Sequence, residues 1–345
     1  MRGSLFVKCP TCGGNCVLPA QEVLDNIYYM YIACRYCPPD PFLNKSAPFH
    51  EHIGSDDGRC KKCGKRHLDL VMGHVLTILK QKEIYPDDAA LKDVGTPLIA
   101  YGYQIPYPPR LGSKSLVLIM DSVTRDSADK IIAQVPEIKG VIKRSGSQSQ
   151  SVGILDTDSK PHTYELLSGC DMRCDVISSL FGELTIYRNQ SLIHIEFNNN
   201  KIKSLEEMYL KGEFDNAKVF DGFCGPGTLG LFSILAGAKK VILNDAWLPA
   251  IDNVILNILV NSELLGVRLY FQLQDINKRD RIGDEPELMA KASGMAGIEV
   301  YHGDIRKTAK ILKECDICLI DTFPSVDPYE YITIFKDIAK KVAVI

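Results

Sequence analysis

Residues 221–230 are Asp-Gly-Phe-Cys-Gly-Pro-Gly-Thr-Leu-Gly, a glycine-rich stretch that directly follows the apolar run Lys218-Val-Phe220. Glycine recurs at 225, 227 and 230. Without side chains there, a strand can turn tightly into a helix and the backbone can approach a ligand. The stretch therefore predicts a strand, a close-approach turn and a helix. A tight turn that binds nothing would show the same glycine spacing.

Strand-like and helix-like runs alternate from residue 211 to the end of the sequence. The predicted strands are 218–220, 241–243, 298–301, 317–320 and 342–345, and the predicted helices are 229–236, 248–265, 305–314 and 329–341. Such alternation is typical of a parallel sheet with crossover helices. We therefore predict an α/β, Rossmann-like domain over 211–345.

An acidic residue follows each of three predicted strands of this domain: Asp221, Asp245 and Asp304. The carboxyl ends of parallel strands meet at the edge where open α/β sheets bind ligands. Asp221 is placed to order the loop and to meet a cationic group. Asp245 lies about 20 residues further on, where an acid binds ribose hydroxyls. Asp304, with an apolar neighbour, is placed to hold an adenine ring.

These acids distinguish between two candidate ligands that both contain adenosine. The pyrophosphate of NAD would be repelled by Asp221 directly before the loop. S-adenosylmethionine carries a sulfonium and an amino group and no phosphate, so it tolerates that acid and is the predicted cofactor. The predicted cofactor-binding residues are Asp221, Phe223, Cys224, Gly225, Gly227, Asp245, Ala246, Asp304 and Ile305.

A fourth strand end carries Asp321-Thr-Phe-Pro324. There Asp321 can accept a hydrogen bond from a substrate nitrogen, while an aromatic ring and a proline frame a flat substrate. We predict Asp321 as the catalytic, proton-accepting residue and Glu206 as a second candidate base. The predicted substrate contacts are Thr322, Phe323 and Pro324. The alternative is an ordinary turn after a strand.

Three Cys-x-x-Cys pairs lie in the first 70 residues: Cys9–Cys12, Cys34–Cys37 and Cys60–Cys63. Glycine follows the first and third pairs, and such turns direct backbone N–H groups at thiolate sulfurs. Two pairs make a tetrahedral Zn²⁺ site, and four thiolates leave no open position for catalysis. We therefore predict a zinc ribbon-like domain over 1–70 with structural zinc, whose ligands come from these six cysteines.

The sequence does not decide how the cysteines pair. Either Cys9–Cys12 and Cys60–Cys63 share one zinc, or Cys34–Cys37 joins one of those pairs. In the second arrangement, His50, His52, His67 or Cys16 would complete another site.

The middle of the chain is predicted as a helix with a Pro- and Tyr-rich linker over 71–112 and a small α+β domain over 113–210. The helix covers 68–80, and Pro106, Pro108 and Pro109 exclude a helix or central strand nearby. The α+β domain is predicted to contain strands 115–120 and 140–144 and a helix over 127–135, capped by Asp126 or Ser127. A hairpin is predicted from strands 184–188 and 193–197.

Composition limits the class of protein. The chain has 345 residues, twelve cysteines and a net charge of −3. It contains neither a membrane-spanning apolar run nor a signal-peptide layout, so a cytoplasmic location is expected. The charge argues weakly against a large nucleic-acid surface but allows a local basic patch. Lys61, Lys62, Lys65 and Arg66 are candidates for such a patch.

Residues 113–345 resemble the archaeal and eukaryotic tRNA methyltransferases that modify N1 of the guanine beside the anticodon, together with their wybutosine-pathway relatives. The Asp-x-Phe-x-Gly-x-Gly motif of that family is matched by Asp221, Phe223, Gly225 and Gly227, and Asn244–Pro249 resembles its second motif. The resemblance implies a class I S-adenosylmethionine-dependent methyltransferase with tRNA as its substrate.

The sequence departs from this family at three points. Glu206 is followed by Glu207 where the family has Glu-Arg, and Asp321-Thr-Phe-Pro324 stands where it has an Asn-Leu-Pro-like motif. The predicted sheet also lacks two strands at one edge, so either that edge is truncated or another segment or a homodimer partner covers it. The alternatives are methylation of a small molecule or protein, aminocarboxypropyl transfer from the same cofactor, and a non-catalytic zinc-containing binding protein.

Overall fold

The N-terminal part of the chain packs around a buried helix. A computed structural model describes residues 7–103, 108–147, 150–194, 200–275 and 278–345. The first elements in these ranges are helix α1 (Ala20–Met30), strand β1 (Arg66–His67) and helix α2 (Leu68–Gln81). Helix α2 matches the predicted helix 68–80 and is buried on almost all sides. Such a helix forms the centre of a core rather than its surface.

Small sheets make up the middle part. The strands are β2 (Thr96–Ile99), β3 (Tyr101–Gly102), β4 (Arg110–Leu111), β5 (Leu116–Met120), β6 (Ile138–Lys143), β7 (Glu165–Gly169), β8 (Met172–Ser179) and β9 (Gly182–Asn189), with helix α3 (Arg125–Gln134) after β5. They form sheets of order β2-β5-β6-β7, β3-β8-β9 and β1-β4. One apolar core contains residues from Cys9 to Tyr187, together with Leu256 and Val260 of the C-terminal part, so the cysteine-rich segment shares its core with the middle domain.

The N-terminal cap of helix α3 differs from the prediction. The cap is Thr124, not Asp126 or Ser127. The Thr124 hydroxyl accepts a hydrogen bond from the Ser127 N–H at 3.3 Å, and the Ser127 hydroxyl accepts one from the Thr124 N–H at 3.0 Å. This reciprocal capping box satisfies two backbone donors at once, which a cap at Asp126 or Ser127 would not do.

The predicted linker contributes short edge strands. Strand β2 contains Pro97 and lies at the edge of its sheet, paired on one side with β5. An edge position tolerates proline because its missing N–H is not needed for pairing. Residues 104–107, which include Pro106, lie outside the described residues.

The predicted hairpin has the wrong second strand. Strand 184–188 exists within β9, but β9 pairs antiparallel with β8, from Met172 opposite Asn189 to Ser179 opposite Gly182. The turn is therefore at Leu180 and Phe181, not at 189–191. Residues 193 and 194 belong to no strand, and 195–199 lie outside the described residues. Both flanks of β9 alternate apolar and polar residues, and periodicity alone does not say which flank pairs.

The C-terminal part is an α/β domain, as its alternating strands and helices predicted. After helix α4 (Asn200–Leu210), its elements are β10 (Lys218–Asp221), α5 (Thr228–Leu235), β11 (Lys240–Asp245), α6 (Leu248–Val260), α7 (Ser262–Leu265), β12 (Val267–Gln272), β13 (Glu287–Gly294), β14 (Gly297–His302), α8 (Ile305–Ile311), β15 (Cys315–Ile320), α9 (Tyr329–Phe335) and β16 (Ala339–Val344). The strand order in the described ranges is β12-β13-β14-β11-β10-β15-β16.

Two features of this sheet differ from the prediction. Strands β14, β11, β10, β15 and β16 are parallel, but β12 and β13 add an antiparallel pair beside β14 that the sequence pattern did not indicate. The predicted helix 329–341 ends at Phe335, because residues 339–341 already belong to β16. In the described part of the chain β16 has no outer neighbour, and cover by a partner subunit stays a prediction. None of the described helices is long and apolar enough to span a membrane.

A row of asparagines joins the middle domain to the α/β domain. Asn253, Asn257 and Asn261 are spaced four residues apart along α6 and its C-terminal end, so they share one face of the helix. Each is buried and accepts a hydrogen bond from a backbone N–H of β9, at Asn189, Tyr187 and Thr185 respectively. The helix thus satisfies the edge of β9 with side-chain amides, as a neighbouring strand would with its backbone.

Candidate active site and cysteine clusters

The glycine-rich turn connects β10 to α5 and is fixed by two carboxylates. Gly225 and Gly227 have φ values of +50° and +88°, a left-handed conformation that favours glycine. The Asp221 carboxylate accepts a hydrogen bond from the Gly230 N–H at 2.9 Å, and the Asp245 carboxylate accepts one from the Gly225 N–H at 2.9 Å. The acids at the ends of β10 and β11 therefore hold both ends of the turn.

Asp221 is completely buried beneath the turn. Burial and, secondly, the negative charge of Asp321 raise the pKa of Asp221 to about 8. Within the described residues, its Oδ1 atom has no hydrogen-bond partner. Asp221 orders the loop as expected, but it lies behind the cavity wall rather than in it.

Asp245 lies at the cavity wall. Its Oδ1 atom accepts a hydrogen bond from the Trp247 N–H at 2.8 Å. Burial raises the pKa of Asp245 to about 6, against the opposing effect of the Trp247 and Gly225 N–H groups. The carboxylate is therefore fixed in position and faces the space above β11.

Asp304 caps helix α8 and is already paired in this structure. It accepts hydrogen bonds from the Arg306 N–H at 2.7 Å, from the Arg306 guanidinium and from the Thr157 hydroxyl at 2.7 Å. Burial would raise the pKa of Asp304, but the hydrogen bonds from Arg306 and Thr157 hold it below the usual value. A ligand at Asp304 would have to share or replace the Thr157 contact.

A cavity of about 960 Å³ lies between the carboxyl ends of the sheet and the middle domain. Most of the predicted catalytic, cofactor-binding and substrate-binding residues line it, which brings four separate strand ends into one space. They are Glu206, Phe223, Cys224, Gly225, Asp245, Ala246, Asp304, Ile305, Asp321, Thr322, Phe323 and Pro324. Asp221 and Gly227 are the predicted cofactor-binding residues that do not line it.

The wall opposite the sheet comes from residues that the sequence analysis missed. Lys201 of α4 is paired with Asp321, with Nζ 2.7 Å from Oδ1 and 2.8 Å from Oδ2. Asp175 of β8 also lines the cavity and is paired with Arg173 and Arg188. Alternating strands do not reveal which polar face meets a cavity, and no local signal marked these residues.

Aromatic rings and Glu206 complete the cavity. Phe323 lies edge-on to His194, with ring centres 5.7 Å apart, and Phe223 lies edge-on to Tyr331 at 4.8 Å. Glu206 accepts a hydrogen bond from the Leu180 N–H at 3.0 Å, so its carboxylate also stabilises the β8–β9 turn.

Eight cysteines converge in two groups of four. The head cluster is Cys34, Cys37, Cys60 and Cys63, and the bridging cluster is Cys9, Cys12, Cys16 and Cys170. In the head cluster, the Cys34–Cys60, Cys34–Cys37 and Cys37–Cys63 sulfur distances are 3.7, 3.8 and 3.6 Å. A tetrahedral zinc site with Zn–S bonds of about 2.3 Å has sulfurs about 3.8 Å apart. Both groups are therefore close to the geometry of a thiolate metal site.

The clusters decide the open pairing. The arrangement in which Cys9–Cys12 and Cys60–Cys63 share a site is wrong, and Cys34–Cys37 joins Cys60–Cys63 instead. Cys16 completes the other group as one alternative expected, whereas His50, His52 and His67 join neither group. Cys170 was missed because it lies in the middle domain, 154 residues beyond Cys16.

Backbone N–H groups support the head cluster. The Gly64 N–H donates to the Cys60 carbonyl at 2.8 Å, and Gly64 has a φ of +73°. This tight turn directs the N–H groups of Cys63 and Lys62 at the Cys60 sulfur, and they lower the pKa of Cys60 to about 6. A lowered pKa increases the share of the thiolate, which is the form that a metal ion binds.

No protein-family model matches this sequence, and no curated protein matches it. Among solved structures, it is similar to TYW2 of P. horikoshii in complex with MeSAdo, with 18% identity and a TM-score of 0.40 over 78% of this chain and 76% of that chain. It is also similar to the tRNA m1G37 methyltransferase of M. jannaschii, with 16% identity and a TM-score of 0.35 over 65% and 53% of the two chains.

A third similar structure is Trm5b from Pyrococcus abyssi, with 12% identity and a TM-score of 0.35 over 65% of this chain and 54% of that chain. This chain spans about half the length of the last two neighbours. Their TM-scores are low, so the activity has to be inferred from the residues of this chain.

Proposed function

We propose that this chain is an S-adenosylmethionine-dependent methyltransferase that acts on an RNA base. The observation that carries the proposal is the cavity in which Asp245, Asp304 and the Gly225 turn meet Asp321 and Phe323. A cofactor half and an acceptor half therefore share one space. S-adenosylmethionine supplies an electrophilic methyl group on its sulfonium when it is bound.

The cofactor half fits adenosylmethionine by its donors and charges. Asp245 would accept hydrogen bonds from the ribose hydroxyls, and Ile305 and Asp304 would hold the face and edge of the adenine. Gly225 would let the methionine end of the cofactor approach the backbone closely. A Cβ on this residue would touch no other protein atom, but it would extend into the cavity. Without a ligand the raised pKa of Asp221 keeps this acid largely protonated near neutral pH, and a cationic group above the turn would favour its ionised form.

The acceptor half supplies a base and a stacking surface. The Asp321 carboxylate, held by Lys201, would accept the proton of the substrate nitrogen, and Phe323 would stack on the base. Methyl transfer otherwise needs positioning in line with the sulfonium and little covalent help. Glu206 is the weaker candidate base because its Oε1 atom already binds the Leu180 N–H.

An exposed basic and aromatic surface beside the head cluster supports RNA as the substrate. Tyr36 is 56% exposed, and the Arg35 guanidinium lies 4.6 Å above its ring. Tyr36 lines a shallow depression with Lys61 and Lys62. Stacking rings combined with cations are typical of single-stranded RNA contacts.

The predicted basic patch is smaller than expected. Arg66 is fully buried and pairs with Glu137 at 3.1 Å, so it is not a phosphate contact. Lys65 donates to the backbone carbonyls of Tyr29 and Ile32, which leaves Lys61 and Lys62 as the exposed candidates. Zinc in the head cluster would hold this surface in shape, as a structural ion with four thiolate ligands.

Labelled cofactor tests the proposal. We expect label from the methyl group, and none from the carboxyl group, to enter RNA when the protein is incubated with total RNA. Label from the carboxyl group would indicate aminocarboxypropyl transfer instead. Calorimetry provides the cofactor test, and tighter binding of NAD than of S-adenosylmethionine would contradict the proposal.

A further inference from the structure

We propose that Cys9, Cys12, Cys16 and Cys170 bind a second zinc ion, which joins the N-terminal segment to the middle domain. Three of these ligands lie within the first 16 residues, and the fourth lies between β7 and β8. The ion would close a loop of about 150 residues, so it would have a structural role different from that of the head cluster. The proposal does not depend on methyl transfer.

The sulfur positions match a tetrahedral thiolate site. The Cys9–Cys170, Cys12–Cys16 and Cys16–Cys170 distances are 3.6, 3.5 and 3.7 Å. A disulfide would bring two sulfurs to about 2.05 Å, so the four sulfurs are spaced for a central ion instead. The Gly13 N–H donates to the Cys9 carbonyl at 2.9 Å, and Gly13 has a φ of +64°, the turn geometry seen at Cys60 in the head cluster.

Two glycines let the chain deliver Cys170 to this position. Gly169 has a φ of +79°, and a Cβ on it would lie 2.3 Å from the Lys139 carbonyl oxygen. A Cβ on Gly140 would lie 2.3 Å from the Cys170 carbonyl oxygen. The backbones of β6 and the turn before β8 therefore approach more closely than any side chain allows, and Cys170 is held at 5% exposure facing Cys9.

A buried cation provides independent support for negative charge at this site. Lys139 is 5% exposed and adjoins the cluster, since its backbone carbonyl accepts a hydrogen bond from the Cys170 N–H at 2.8 Å. Its Nζ donates to the Met172 carbonyl, and no carboxylate among the described residues forms a salt bridge with it. A buried ammonium is costly unless an opposite charge lies nearby. Four thiolates around one Zn²⁺ carry a net charge of about −2, which would supply that charge.

The bridging cluster is connected to the α/β domain by a chain of hydrogen bonds. Thr11, between Cys9 and Cys12, donates to the buried Asp171 carboxylate at 3.2 Å and accepts from Asn189 at 2.5 Å. Asn189 in turn is bound by Asn253 of α6. The ion would therefore fix the N-terminal segment against strand β9, and β9 is the strand through which the middle domain contacts α6.

Metal analysis of the full chain tests the second site. We expect two zinc ions per chain in the wild type and one in Cys170→Ala, in Cys16→Ala and in Cys37→Ala, which lacks only the head-cluster site. The matched control is Cys174→Ala, since Cys174 is buried four residues beyond Cys170 and belongs to neither cluster. This control should retain two ions. A wild type with one ion, or Cys170→Ala with two, would overturn the proposal.

A second measurement decides the case in which Cys170→Ala does not fold. The Cys37→Ala variant keeps the bridging cluster as its one site, and X-ray absorption at the zinc edge should show four sulfur ligands. Fewer than four sulfurs, or no zinc in this variant, would overturn the proposal. So would a disulfide between any two of the four cysteines, detected by mass spectrometry after alkylation of free thiols.

Discussion

The side-chain amide of Asn257 pairs with the backbone of Tyr187 through both of its polar atoms. Its Oδ1 accepts from the Tyr187 N–H at 2.7 Å, and its Nδ2 donates to the Tyr187 carbonyl at 2.9 Å. The same Nδ2 donates to the Pro226 carbonyl at 2.8 Å, within the glycine-rich turn. One buried residue therefore connects the middle domain, helix α6 and the glycine-rich turn.

Replacing Asn257 should destabilise the protein through these lost contacts. In Asn257→Ala the Tyr187 N–H and carbonyl lose their partner in a buried site, which is expected to lower the free energy of unfolding by about 2–4 kcal/mol. Urea denaturation measures the change. Asn26→Ala, at an exposed helical asparagine, is the control and should change stability little. Equal stability of the two variants would show that the paired amide is not important for the domain contact.

Asp245 should determine affinity for the cofactor. Asp245→Asn removes the charge that would accept the ribose hydroxyls, and S-adenosylmethionine is expected to bind about ten- to a hundredfold more weakly by calorimetry. Asp252→Asn is a matched control, because Asp252 lies on α6 and does not line the cavity. Unchanged affinity in Asp245→Asn would remove Asp245 from the cofactor site.

Asp321 should determine the rate and not the affinity for the cofactor. Asp321→Asn removes the proposed proton acceptor, and the rate of methyl transfer is expected to fall by about 10²–10⁴-fold with cofactor binding retained. The double variant with Lys201→Ala should be no slower than the slower single variant, because the two residues act as one pair. Asp327→Asn, after the same strand but outside the cavity, should remain active. Additive losses would separate the roles of Lys201 and Asp321.

The stability of the cofactor-free protein should depend on pH through Asp221. Its pKa of about 8 in the folded protein lies above the usual 3.8, so the folded protein retains a proton that the unfolded chain loses. Protonated Asp221 therefore makes its full contribution to the free energy of unfolding below about pH 4. This contribution is lost progressively as the pH rises through about 8. Melting temperatures of the wild type should therefore fall relative to those of Asp221→Asn between about pH 4 and 8.

Asp316→Asn is the control for this pH experiment. The Lys218 N–H and Lys340 hold the pKa of Asp316 below its usual value, so its contribution to stability is constant above about pH 4. Its melting curve should run parallel to that of the wild type in the same range. A parallel curve for Asp221→Asn as well would mean that Asp221 is ionised throughout.

The sequence predicted the α/β domain because its information is local. The run 221–230 contains its own strand end, turn and helix start, and the acids at 221, 245 and 304 each lie within about three residues of the end of a predicted strand. Residues at the ends of parallel strands must meet at one edge of the sheet, whatever the rest of the chain does. Strand periodicity and strand ends therefore placed the sheet side of the cavity from the sequence, but not the opposite wall.

Tertiary structure decided what comes from distant parts of the chain. The partner of β9, the Lys201–Asp321 pair and the ligand Cys170 each join segments whose local sequence carries no mark of the other. Three Cys-x-x-Cys pairs predicted a metal-binding segment, but spacing within a pair does not say which pairs come together. That choice depends on packing, because only the shared apolar core brings Cys9 of the N-terminal segment within 3.6 Å of Cys170 in the middle domain.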